Sequence, residues 1–295
     1  MSTSAERFLR KLKEAIAWAN TLGVNLSHGR FADYIRAFER ALEKAAEGST
    51  DEAEDPQAIH TGLTTIEAGQ ELILVYEHLR HLPAVELRKR LARYIYGTTL
   101  EKDERPASGS SEPRNIGFEL VFAARCASVG LPVDLPTVGD IEIASPPIDI
   151  ECKRPQTPGG IEASIRKAQK QLAERAKSNA RCPTGIIALS IGKLIHGGTK
   201  LLPAPTAEAA IRELGRTTAD FVSEYDQIWQ SLNLPCVHAV VTDLSAVVQL
   251  TDPDGLTWGS FNGINPINQN QTPESDEHLE TVAQALRSAQ GLIKL

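Results

Sequence analysis

The sequence predicts an α/β protein with a helical module at its N-terminus, and three observations predict it. Through residues 1–100 the apolar side chains recur at helical spacing. A stretch mixing Pro, Ser, Gly and charge without periodicity, EKDERPASGSSEP, follows and reads as an exposed linker over 101–113. Beyond it, in 114–295, amphipathic and alternating segments succeed one another in the order helix, strands, helix, strand, which is how an α/β core with a C-terminal extension is written.

Taken in order, Phe8, Leu9, Leu12, Ala15, Ile16 and Ala19 form one apolar stripe and Phe31, Tyr34, Ile35, Phe38 and Leu42 a second, giving two helices joined at LGVNLSHGR. The acidic EGSTDEAEDP is a surface loop. Residues 59–81 and 84–96 read as two further helices broken at Pro83. After the linker come a helix over 115–128, short strands at Val133, 140–144 and 148–153, a helix over 160–178 and a strand over 185–191. A helix over 206–232, a strand near 238–250 and a closing helix over 276–293 extend the domain. The segment TDPDGLTWGSFNGINPINQNQTPES, rich in Asn, Gly and Pro, is too long for a simple turn and reads as either a lid or a docked structural loop. Trp18 and Trp229 lie within helical periodicity and are expected in the core.

Composition limits the function. In 295 residues, 41% hydrophobic and 23% charged, no apolar run approaches the roughly 20 residues of a membrane helix, so no membrane partner is expected. The N-terminus threads charges through its apolar positions, unlike a secretory signal, and a cytoplasmic location is expected. Cys126, Cys152, Cys182 and Cys236 form no CxxC pair, which argues against a zinc ribbon and for buried thiols. The net charge of −7 conceals a basic stretch: Lys153, Arg154, Arg166, Lys167, Lys170, Arg175, Lys177 and Arg181 stand against Glu162 and Glu174 alone. A local basic face of this kind can recruit phosphates inside an acidic chain.

Candidate chemistry centres on GDIEIASPPIDIECKRP. Ile148, Ile150 and Cys152 alternate with Asp149, Glu151 and Lys153, so a pleated strand puts the apolar groups on one side and the ionisable ones on the other. Asp140 lies on the preceding strand across a short turn. If the two strands pair, carboxylates converge beside an ammonium, and such a cluster is costly without a ligand. Mg²⁺, or Mn²⁺ in its place, suits Asp and Glu oxygens and bridges to phosphates. Glu119 adds an acid from the preceding helix, on the stripe of Ile116, Phe122, Ala123 and Cys126 and not on the outer face. Asp149 shares Glu151's face and competes with Asp140 as ligand. Two residues along one strand, about 6.5 to 7 Å apart, converge less well than a pair across a hairpin, which favours Asp140. Against this stands a solvent-facing strand with an ordinary surface ion pair. Two decoys fail: Ser164 and Lys167 form an SxxK without its companion motifs, and GIIALSIGKL lacks P-loop spacing.

Glu119, Asp140, Glu151 and Lys153, in this order on helix, hairpin and strand and followed by a basic helix and another strand, resemble the PD-(D/E)XK nuclease superfamily. The resemblance covers residues 113–191, with Gly139 where the family's name has Pro. It implies a restriction-endonuclease-like αβββαβ core and metal-dependent hydrolysis of nucleic acid, DNA before RNA. It implies that Asp140 and Glu151 bind the metal together with Glu119, the helix acid, that Lys153 positions the attacking water, and that a 5′-phosphate and 3′-hydroxyl result. Arg154, Arg166, Lys167 and Lys170 would track phosphates. The family's helix glutamine falls on Gln169 or Gln171, Gln171 preferred. Restriction or phage defence, a homodimer, and a partner protein held by the N-terminal helices are expectations of the same kind. The alternative is a catalytically silent nuclease-like domain that binds nucleic acid or scaffolds a complex.

Overall fold

The computed structural model describes residues 4–26, 28–47, 56–104, 111–178, 184–197, 201–252 and 254–294. Arg181, Cys182 and residues 105–110 of the expected linker lie outside them; its ends form a helical turn at Glu101–Asp103 and the start of a helix at Glu112. Four helices come first: α1 (Ser4–Thr21), α2 (Arg30–Glu47), α3 (Pro56–Leu79) and α4 (Ala84–Tyr94). Helix α5 (Glu112–Ser128) leads into β1 (Val133–Asp134), β2 (Ile141–Ile143) and β3 (Ile148–Lys153), then α6 (Ile161–Ser178), β4 (Thr184–Ser190) and the short α7 (Gly192–His196). The remainder is β5 (Leu201–Ala204), α8 (Ala207–Ser231), β6 (Ala239–Thr251), β7 (Asp254–Pro266), α9 (Pro273–Ala289) and β8 (Gly291–Lys294).

All eight strands form one mixed sheet in the order β1-β2-β3-β4-β6-β7-β8, with β5 alongside the distal half of β6. Strands β1 to β3 are antiparallel, β3-β4-β6 parallel, and β6-β7-β8 antiparallel again. The alternation read from β3 decides its faces. Ile148, Ile150 and Cys152 join a core that includes Phe122 of α5, Leu72 of α3, Leu12 of α1, Leu91 of α4 and Leu279 of α9. On the other face Ile187 and Leu189 of β4 pack with Ile165 and Leu172 of α6 and Trp229 of α8. The protein is therefore an α/β sandwich in three layers, and the ionisable face of β3 lies under α6.

The short α7 and β5 are additions to the expected elements, and two expected segments take another form. The Asn- and Gly-rich segment is neither lid nor loop for most of its length: it is β7, paired with β6 from Ala239↔Pro266 to Thr251↔Asp254. Two of its glycines serve close packing. A Cβ on Gly259 would lie 2.6 Å from Leu292 Cδ2, and one on Gly263 2.8 Å from Thr242 Oγ1. Beyond the strand the amides dock the chain: Asn270 Nδ2 donates to the carbonyls of Leu234 (2.7 Å) and Val237 (2.6 Å). The closing helix starts earlier, capped by reciprocal Thr272 and Ser275 bonds, and stops at Ala289 so that Gly291–Lys294 can pair with β7.

Candidate active site

The β2–β3 hairpin brings the sequence's acids together. Pairing of Ile141 with Ile150 sets Asp140, just before β2, against the far half of β3, where its Oδ2 accepts the Cys152 N–H at 2.7 Å. Gly139 turns the chain into this position with φ +99°, a conformation any side chain would strain. A Cβ there would also strike the Arg175 guanidinium. Glycine at the place where the family's name has proline thus has a local physical reason.

Lys153 stands at the centre. Its Nζ lies 3.0 Å from Glu151 Oε2, 2.9 Å from the Cys152 carbonyl oxygen and 3.5 Å from Asp140 Oδ2. Three oxygens from two strands thus surround one ammonium. Glu151 is fully buried, while the Lys153 and Asp140 side chains are 13% and 14% exposed, so solvent reaches the cluster from one side. Burial pulls the Lys153 ammonium down, but Asp140 and Glu151 more than offset it and the group sits above its ordinary pKa. For Glu151 burial and then Asp140 push the carboxyl up to about 7 against the pull of Lys153. Glu119 is the fourth acid, pushed up to about 8 by burial and then by Asp140. It does not bond Lys153; Arg90 of α4 reaches it at 2.7 Å.

Asp149 and Asp140 are separated by their partners. Arg175 of α6 lies 3.3 Å from Asp149 Oδ2 and 3.8 Å from Glu151 Oε1, so Asp149 is held by a guanidinium under α6 while Asp140 shares Lys153 with Glu151. Of the two, Asp140 is the one that faces the same ammonium as Glu151. The oxygens fit a small divalent cation: Asp140, Glu151 and the Cys152 carbonyl already face one cationic point, and Glu151 Oε1 is buried without a hydrogen bond. Among the described residues no three His, Cys, Asp or Glu side chains form a metal-holding group. The third oxygen here comes from the backbone.

The expected phosphate track is dispersed. On α6, Arg166 and Lys170 are exposed, in i,i+4 pairs with Glu162 (2.7 Å) and Glu174 (4.0 Å), and Lys167 is exposed beside them. Gln171 lies one turn before Arg175 on the same helix face, and its Oε1 is buried without a hydrogen bond. Gln169 instead donates to the Pro235 carbonyl at 3.5 Å. Arg154 lies elsewhere, just past the end of β3 and turned away from the Lys153 cluster. There it pairs with Glu101 and, at 3.0 Å, with Glu104.

Glu104 anchors a second charged cluster. Its carboxylate is fully buried and meets Arg114 Nε at 3.0 Å, Arg154 Nη1 at 3.0 Å and Lys193 Nζ at 2.8 Å. A polar cavity of about 70 Å³ adjoins it, bordered by Glu71, Arg114, Arg154 and Lys193, with room for several ordered waters.

From sequence Arg175 belongs to the basic stretch that would recruit phosphates, and Arg90 has no role; the structure gives both to the carboxylates. Arg90 Nη2 donates to the carbonyls of Pro136 (3.0 Å) and Gly139 (2.8 Å) while Nη1 holds Glu119, so one side chain ties α4, α5 and the approach to Asp140. The signal was present in both cases. Arg90 shares an apolar stripe with Leu87, Leu91 and Tyr94, and Arg175 follows Ala168 and Leu172 at helical spacing. The chain matches no model of a known protein family, and no curated protein matches it.

Proposed function

We propose that this chain is a metal-dependent nuclease of the restriction-endonuclease-like kind, hydrolysing phosphodiester bonds of DNA. One observation carries the reading: the Lys153 ammonium occupies a point faced by Asp140, Glu151 and the Cys152 carbonyl, on a hairpin followed by a helix and a parallel strand. The order α5, β1, β2, β3, α6, β4 supports the αβββαβ core that the resemblance implies.

Asp140, Glu151 and the Cys152 carbonyl would hold Mg²⁺ or Mn²⁺. The cation would offset charge on the phosphoryl and leaving oxygens and favour ionisation of the attacking water. Lys153, kept protonated by its carboxylates, donates a hydrogen bond that orients the water or a phosphoryl oxygen. Glu119, with a pKa pushed up to about 8, holds a proton near neutrality and can exchange it with water at the cluster's edge. Arg90 and Arg175 fix the carboxylates in place. Products carry a 5′-phosphate and a 3′-hydroxyl, and restriction or phage defence is the setting proposed.

The test is cleavage of supercoiled plasmid, linear duplex, single-stranded DNA and RNA with Mg²⁺, Mn²⁺ or EDTA. Cutting by the wild type that needs metal and falls at least about 100-fold in a folded Lys153→Ala variant is the expected result. Binding without cutting under every condition would make the chain a silent nuclease-like domain instead.

A further inference from the structure

The cleft that opens on Asp140 and Glu119 has a wall that sequence reading left without a role. It measures about 350 Å³, and beside those two acids and Gly139 it is lined by Lys89, Arg90 and Arg93 of α4. In the segment AVELRKRLARY these three cations share one face, because positions 89 and 93 are one turn apart and 90 lies between them on the same side. Arg90 is the anchor, with its side chain 10% exposed and its guanidinium on Glu119 and the Pro136 and Gly139 carbonyls. Lys89 and Arg93 are the exposed pair, at 59% and 57%.

We infer that α4 supplies the phosphate-binding wall of the candidate active site, gripping the sugar-phosphate backbone of nucleic acid through Lys89 and Arg93; this rests on the nuclease reading above. The expectation from sequence placed that track on α6. The residues bordering this cleft, however, come from α4, α5 and the approach to β2, and α6 contributes none of them. Arg90 holds α4 in fixed register with the loop bearing Asp140, so the two exposed cations keep a constant place relative to it. Lys89 pairs with Glu86 at 2.6 Å and Arg93 with Glu112, both at the surface. Exposed pairs of this type contribute little, and a phosphate with its released counterions readily replaces them.

The experiment compares binding of duplex DNA across a salt series, with Ca²⁺ or EDTA in place of Mg²⁺, by the wild type, a Lys89→Ala, Arg93→Ala variant and a Lys167→Ala, Lys170→Ala variant. Both substituted pairs are exposed, and melting curves verify folding. Loss of two phosphate contacts should reduce the slope of log K against log salt by about 1.8 and weaken binding at least about tenfold, with cleavage showing a raised KM and little change in kcat. The α6 variant should bind within about twofold of wild type, as expected of cations outside the track. Unchanged affinity and slope in the α4 variant, or a loss confined to the α6 variant, overturns this assignment and leaves the nuclease reading intact. A wild type that neither binds nor cuts any nucleic acid overturns both.

Discussion

Lys153 and Arg154 are neighbours in sequence, yet each enters a charged cluster of inverted design. On one face of the sheet a single ammonium is ringed by the oxygens of Asp140, Glu151 and a carbonyl; on the other, the Glu104 carboxylate is ringed by Arg114, Arg154 and Lys193, with Glu101 also on Arg154. The difference lies in what remains when the central group goes. Without Lys153, carboxylates face one another and a divalent cation can take its place. Without Glu104, Arg114, Arg154 and Lys193 lose the carboxylate they share, and a metal cation cannot replace it. The comparison separates a cluster suited to exchange its cation from one suited to hold the fold together, although both are largely buried.

The largest effect tests the second cluster. Glu104→Gln should cost about 3–5 kcal/mol in urea unfolding, because it strands buried charge, and Mg²⁺ should not restore the loss. Recovery in Mg²⁺ would erase the distinction between the clusters. Next, at a hundred times the dissociation constant, Mg²⁺ or Mn²⁺ should stabilise the wild type by about 2.7 kcal/mol and leave an Asp140→Ala, Glu151→Ala variant unmoved. Equal rises in melting temperature for both proteins would remove the metal site.

A third prediction concerns pH. Burial and Asp140 raise the Glu119 carboxyl from 4.5 to about 8, so between these values the folded state binds a proton that the unfolded chain has released. The stability from this group is therefore complete at low pH and lost as pH climbs through about 8, at no more than about 1.4 kcal/mol per unit. Glu119→Gln should flatten that part of the stability profile measured without metal; an unaltered slope would show that Glu119 does not titrate there. The smallest effect belongs to α6, where Arg166→Ala breaks only an exposed pair with Glu162 and should change unfolding by less than about 0.5 kcal/mol. A larger cost would mean that Arg166 carries structure which its exposure conceals.

Most of the candidate site was legible because its residues are specified locally. Alternation alone set Glu151 and Lys153 against Ile150 and Cys152, and the apolar stripe around Glu119 marked it as an inward acid. Arg90 bore the same stripe signal, but its partners come from Glu119 and the carbonyls of Pro136 and Gly139, far along the chain and invisible to periodicity. Glu104 was obscured for another reason: it lies in a segment whose composition reads as linker, although its carboxylate is buried by three distant cations. In β7 the glycines and asparagines that normally announce a loop pack against Leu292 and Thr242 or bond Asp243 and the Val240 carbonyl. Strand pairing over that distance is a tertiary fact, and it overrides local propensity.

Cys152 sits between Glu151 and Lys153 on the apolar side of β3, its thiol buried in the core and pushed well above the ordinary range by burial and then by Asp140 and Glu119. A thiol so placed reacts only when the strand leaves the sheet. Its alkylation rate is therefore a clock for local opening at the hairpin, read from a native residue without an engineered label. A cation bridging Asp140 and Glu151 would slow that clock by fastening β3 to the approach to β2. Cys126, buried in α5 and raised to about 12, times the neighbouring layer of the same core. The two rates together would show whether the hairpin opens alone or only when the whole protein unfolds.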